Sequence, residues 1–314
     1  MKMKRSVQEL ADEVTIQTAT GISTVQGKRW LQEILKAAKQ KMFFEQFAYV
    51  SDAGKGIKDV EVPIATSNID FTDSKTEGQE RTLSYIDNLS TVTFTPTSHN
   101  FGAAVSAEVV RTSQVDVVRF ARDQMAYDMA LTIDTAFATE LATATPAATL
   151  YGGDATNTAT LAAGDVMTPE IVASAIRALK VNGWVGEPGK PLVAFISPYQ
   201  EEALMKDSQF VNASEYGGNE IVMNGEIGRY LGVKIISTNQ VPSSSTWGAG
   251  SNLDGNTCFV LKAKVSYGII YAQRPKLDFE YKKDEAAHYV YLDTAYDIEN
   301  LQEGAIVHIK VLQV

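Results

Sequence analysis

Gly21 and Gly27, with Lys28 directly after, are the nearest approach in this sequence to a phosphate-binding loop. A P-loop sets four residues between its glycines so that successive backbone N–H groups wrap a phosphate, and it follows the lysine with a Ser or Thr that holds magnesium. Here five residues intervene and Arg29 follows Lys28, so the chemistry is not supplied. No Gly-x-Ser-x-Gly occurs, and Ser197, which precedes Pro198, reads as a helix cap rather than a nucleophile. Asp284 and Glu285 are adjacent carboxylates that could share acid and base work. They follow Lys282 and Lys283, however, in what reads as a solvated turn between strands. His99, His288 and His308 are scattered, and Cys258 is the single cysteine, which leaves neither a disulfide framework nor a zinc cluster. Cys258 reads as a small buried apolar residue. The expectation is a chain with no catalytic, cofactor-binding or metal-binding residue and no cofactor, hence no enzyme.

Composition narrows the classes further. The chain has 314 residues, 45% of them hydrophobic, enough for a large domain or two with a sizeable core. No run approaches the roughly 18 apolar residues of a membrane helix. Met1, Lys2, Met3, Lys4 and Arg5 lead into Ser6, Val7, Gln8 and Glu9 rather than a signal-peptide core. Synthesis in the cytoplasm, with no membrane partner, is expected. A net charge of −10 argues against a surface that clings to nucleic acid. It leaves room for a container whose wall merely faces nucleic acid.

The elements are organised around residues 113–143, which contain neither Gly nor Pro. Val118, Ala121, Met125, Met129, Ile133, Phe137 and Leu141 recur at spacings of three and four, the apolar stripe of one helix, with Asp116, Asp123, Tyr127 and Asp134 on another face. Ser113 is expected to cap its start with Asp116 near the positive end of the dipole, and Thr145 and Pro146 to stop it. Such a helix spans roughly 45 Å, the length of a spine. A long core helix of an ordinary α+β enzyme is the alternative reading of this stretch.

Before the spine, residues 1–27 hold few large apolar residues and read as an arm. Residues 28–50 read as a helix with Trp30, Leu31, Ile34, Leu35, Ala38 and Met42 on one face. Its aromatic end, Phe43, Phe44, Phe47 and Tyr49, needs a partner in the same or a neighbouring subunit. Val60, Val62 and Ile64 alternate as a strand with Pro63 marking an edge, and a second alternating segment follows at residues 91–96. The two predict a long hairpin standing off the body.

After the spine, residues 146–164 read as a loop. Thr168 and Pro169 open a helix with Ile171, Val172, Ala175, Ile176 and Leu179 inward, ended by Asn182 and Gly183. The apolar run at residues 192–196 reads as a covered strand. A helix from Pro198 to Met205 and strands at residues 232–237 and 259–261 complete a small mixed α/β domain. Trp247 reads as exposed in a Ser and Gly loop. From Lys276 onward the chain alternates as strands, implying a return from the α/β domain to a sheet beside the spine.

Three local patterns now matter. Residues 102–113, Gly-Ala-Ala-Val-Ser-Ala-Glu-Val-Val-Arg-Thr-Ser, place a small-residue strand with Ser and Glu at the spine's entrance. Phe195, Ile196, Ser197 and Pro198 lead into an acidic helix. Leu231, Gly232, Val233, Lys234, Ile235, Ile236 and Ser237, with Val241 and Pro242, precede a loop and a further strand. In this order they resemble the major capsid proteins of tailed bacterial and archaeal viruses, the Hong Kong 97 capsid fold. The resemblance spans most of the chain. It implies an α+β fold with an N-terminal arm at 1–50 and an extended β-hairpin loop at 51–107. A peripheral domain with the long spine helix would take 108–190 and 273–314, and a mixed α/β axial domain 191–272.

The resemblance also implies function: self-assembly through hexamers and pentamers into the icosahedral head shell around a double-stranded DNA genome, without specific DNA binding. The place would be the virion capsid, after synthesis in the host cytoplasm. Scaffold, portal and decoration proteins are the further partners it admits. The chain lacks the long charged helical N-terminal segment of a fused scaffold, so a separate scaffold, or none, is expected. Lys75 lies where some members carry a cross-linking lysine, but no partner is identifiable and no cross-link is expected. Ile69, Phe71, Leu83, Tyr85 and Ile86 in the hairpin are expected to be covered by a neighbouring subunit. Trp247 is expected at a contact near a symmetry axis, unless it folds back on its own domain. An encapsulin-like nanocompartment shell is the first alternative, and a soluble α/β enzyme with an unrecognised site the second.

Overall fold

The computed structural model describes residues 43–54, 57–65, 89–113, 116–207, 228–248 and 252–313. Two sheets and one long helix carry the fold. The first sheet has the order β1-β11-β12-β4, from β1 (Tyr49–Asp52), β4 (Thr97–Ser106), β11 (Tyr267–Lys282) and β12 (Ala287–Asn300). β1 runs parallel to β11, and the other pairings are antiparallel. In β12 a strict alternation buries Val290, Leu292, Thr294, Tyr296 and Ile298, the pattern of a strand with one face on a core. A separate two-stranded ladder pairs β2 (Val60–Ala65) with β3 (Leu89–Phe94), so the base of the expected hairpin exists. The aromatic end at 43–50 is not one helix. A single turn, α1 (Phe44–Phe47), hands over to β1, which leaves Tyr49 and Val50 exposed.

The spine starts later than the spacing predicts. Ser106 caps a short α2 (Ala107–Thr112) by accepting from Val109 N–H, Ser113 ends that helix, and α3 (Val117–Thr143) begins afresh. Its cap is Asp116, whose Oδ1 accepts from Arg119 N–H at 2.9 Å. The carboxylate thus takes the N-cap role itself instead of supporting Ser113. At 27 residues the helix spans roughly 40 Å. Of its apolar stripe only the C-terminal half, Met129, Ile133, Phe137 and Leu141, is fully buried.

The second sheet has the order β5-β13-β10-β6-β8-β7, with β9 also paired to β10. Its strands are β5 (Ala148–Tyr151), β6 (Leu192–Ile196), β7 (Arg229–Tyr230), β8 (Val233–Ser237), β9 (Ser243–Trp247), β10 (Leu253–Lys262) and β13 (Ile306–Leu312). All five residues of β6 are buried, as expected of a central strand covered on both faces. α4 (Pro169–Val181) packs on β5, β13 and β10. Thr168 caps it, and it ends in a Schellman turn with Gly183 at φ +81°. Gly183 N–H there reaches Lys180 O and Trp184 N–H reaches Leu179 O. α5 (Pro198–Lys206) follows β6. Ser197 holds its N-cap position, but its hydroxyl bonds the Gln200 side chain rather than a backbone amide.

Sheet membership departs from the expected tail. β12 returns beside the spine, whereas β13 pairs along β10 and closes the second sheet together with β5. Its residues Ile306, Val307, Ile309 and Val311 are buried, as befits a strand set between β5 and β10 with α4 packed against it rather than one with a solvated face.

Candidate assembly surfaces

Among the described residues the titratable groups do not gather into a reactive site. Asp284 and Glu285 lie in the exposed turn between β11 and β12, where Glu285 accepts from Tyr289 O–H. His99 stacks on Tyr296 and His288 tilts onto Tyr281. Cys258 is fully buried, and burial pushes its thiol up to about 12, so it is no nucleophile. Among the described residues no group of three His, Cys, Asp or Glu could hold a metal ion. The near-miss loop at 21–28 and Lys75 lie outside the described residues.

The hairpin's root is described while Ile69, Phe71, Leu83, Tyr85 and Ile86 lie outside the described residues. Phe94 is fully buried with Ala53, Ile270 and Leu301, against which Val60, Val62 and Val92 pack. Thr95 N–H donates to Asp297 Oδ2 at 2.6 Å, and Gln302 Nε2 donates to the Ala65 carbonyl at 2.9 Å. These contacts pin the base to the first sheet. Leu89, where the described part of β3 begins, is 63% exposed.

Two further surfaces offer apolar groups outward. Beyond Tyr271, β11 has no pairing partner on its outer edge among the described residues, and Phe279 and Tyr281 on that stretch are exposed. Val181, ending α4, is 79% exposed, with Val185 exposed just after it. An open strand edge with aromatic side chains is a ready template for another chain.

Trp247 is not exposed, and this corrects the reading of its loop. Residues 243–247 form β9, and the indole packs with Leu161 and Leu312 at 9% exposure. A Cβ on Gly255 would lie 2.0 Å from Trp247 Cε3, so that glycine makes room for the ring. The apolar neighbours come from distant segments, which is why the local sequence shows no stripe for it.

The aromatic residues at 43–47 find their partner within the same subunit. Phe44 stacks on Phe195 with ring centroids 4.2 Å apart, and Phe47 meets the same ring edge-on at 6.0 Å. Asp134, assigned by spacing to the polar face of the spine, is 2% exposed and accepts from Phe43 and Phe44 N–H through Oδ1. A buried Asp between Ile133 and Phe137 carries no local sequence signal, because its partners come from the arm.

Residues 90–291 match the family described as phage capsid protein, a span of more than half the chain. The chain belongs to the phage capsid protein family. Solved structures agree in fold. The capsid of Ralstonia phage GP4 is similar at TM-score 0.70 and 19% identity, covering 94% of this chain and 97% of that one. The capsid of cyanophage P-SCSP1u gives 0.70 and 17%, with 93% and 96% covered, and a Mycobacterium phage Che8 chain gives 0.67 and 12%, with 92% and 98% covered. No curated protein matches the sequence. The subunit is a major capsid protein of the Hong Kong 97 type, α+β, that forms the head shell of a tailed phage with copies of itself. Family membership implies a structural role and a place in the virion. No helix among the described residues is long and apolar enough to cross a membrane.

Proposed function

We propose that this capsid protein closes an icosahedral head of hexamers and pentamers around double-stranded DNA, its arm and hairpin clasping neighbours while its axial domain meets others at the symmetry axes. The observation that carries this reading is the uneven cover of the first sheet and of the β2–β3 ladder beside it. The hairpin root is pinned, yet Leu89 and the aromatic edge of β11 face outward. Surfaces of this kind gain their burial from a neighbour, and a shell is held by many such contacts. The four-stranded sheet with α3 is proposed as the peripheral domain and the larger sheet with α4 and α5 as the axial domain. Residues 148–151, 169–181 and 306–312 then join the axial side, beyond the boundaries the sequence implied. Ile69, Phe71, Leu83, Tyr85 and Ile86 remain the proposed neighbour-covered residues. Trp247 is proposed as a support from within, stiffening the β9–β10 ladder.

The inner wall would face DNA without binding it specifically, and the chain would catalyse nothing. It would be made in the host cytoplasm, and scaffold, portal and decoration proteins are its proposed further partners. Electron microscopy of the purified protein tests the reading. Icosahedral particles are expected, and their diameter separates a phage head from a small nanocompartment. Protein that stays monomeric at every concentration tried would overturn it.

A further inference from the structure

The arm enters the body through one socket, and three elements line it. From the spine, Asp134 Oδ1 accepts from Phe43 N–H at 3.2 Å and Phe44 N–H at 3.0 Å. From β11, Tyr267 O–H donates to the Phe44 carbonyl at 2.7 Å, and Tyr271 O–H donates to Glu45 Oε1 at 3.0 Å. From the second sheet, Phe195 stacks under Phe44, and the Lys234 ammonium lies 5.1 Å from the Phe47 ring centroid. Lys264 N–H, between β10 and β11, donates to the Phe47 carbonyl at 2.6 Å. Residues 43–47 are thus gripped by both sheets and the spine.

One group in this socket is poorly matched as a charge. Asp134 is 2% exposed, and among the described residues its Oδ2 has no hydrogen-bond partner. Burial raises its carboxyl to about 6, the two amides oppose that, and the Glu45 carboxylate adds to it. Among the described residues no cation compensates Asp134, and the Lys234 ammonium lies over the Phe47 ring instead. Tyr267 is fully buried and held neutral, Tyr271 O–H donates to Glu45, and Arg274 is paired with Asp52. Phe43 and Phe44 belong to the cover that dries Asp134. Lifting the turn rehydrates the carboxyl and returns it towards its ordinary value.

We propose that Asp134 and the turn at residues 43–47 form an acid-tightened latch, which holds the root of the arm more firmly in acid than at neutral pH. The direction follows from linkage: the seated state holds a proton more tightly than the lifted state, so protonation favours seating. The latch belongs to the single subunit and does not rest on how the shell is arranged.

The test is hydrogen exchange of the full-length protein at about pH 5 and about pH 7.5, corrected for the intrinsic pH dependence of exchange. Protection of the peptide spanning 43–48 is compared with that of β6. Relative protection of the root is expected to fall about tenfold between the two conditions. Asp134→Asn, which keeps an acceptor for both amides and cannot titrate, is expected to flatten the response. Root protection that does not change with pH in the wild type overturns the latch. So does an equal change in Asp134→Asn; if that variant does not fold, the wild-type comparison decides alone.

Discussion

His308 sits where the end of the spine meets β13. Its Nε2 lies 2.9 Å from the Leu141 carbonyl, and its ring meets Phe259 edge-on. Burial lowers its pKa to about 4, with Lys310 adding to the effect and the bond to Leu141 opposing it. The folded state therefore favours the neutral ring. The corresponding stability is complete above the ordinary value of 6.5 and is lost as pH falls from there towards 4. Between about pH 7.5 and about pH 5, urea unfolding should show a change in stability that is about 2 kcal/mol more unfavourable in the wild type than in His308→Gln. Asp134 acts in the opposite sense, its share being lost as pH rises through about 6, so the variants separate the two limbs. Phe44, fully buried on Phe195, should cost about 3–5 kcal/mol as Phe44→Ala in the same measurement.

At the scale of elements, β9 and β10 depend on a glycine. Gly255→Ala would place a methyl group inside the Trp247 ring and should destabilise the subunit by about 1–3 kcal/mol. Trp247→Ala should lower the subunit melting temperature too, and an unchanged melt in both would mean the ring is not packed there. The hairpin is the converse case. Replacing residues 66–88 by a short Gly and Ser turn should leave circular dichroism near wild type, because Phe94 and its neighbours stay buried at the root. Particles should fail to form in sedimentation, since each covered apolar side chain contributes roughly 1.5–3 kcal/mol and every subunit loses them together. Unfolding of the variant would place the hairpin in the subunit core, and normal assembly would end the claim that it clasps neighbours.

For the whole molecule, charge sets what the shell can do to its contents. With 28 Lys and Arg against 38 Asp and Glu, no general excess of cations is available to neutralise phosphate. Purified subunits should therefore not retain linear duplex DNA at physiological salt. Submicromolar, sequence-independent retention would contradict this and point to a basic inner wall.

Periodicity along the chain was enough for the elements whose cover is local. The strand at 192–196, the helix opened by Thr168 and Pro169 and closed at Gly183, and the ladder begun at Val60 are each legible because their side chains repeat at the spacing of the face they bury. The local patterns at 102–113, 195–198 and 231–242, taken in their order, also carried the resemblance to the family. Contacts made at long sequence separation were decided only by the tertiary structure. Trp247 reads as exposed until Leu161 and Leu312 arrive from elsewhere, β13 reads as part of the sheet beside the spine until β10 pairs with it in the other sheet, and Asp134 reads as surface until the arm descends on it. A side chain's own neighbours in sequence report the face it belongs to, but the free energy of burying it depends on partners that the local pattern does not encode.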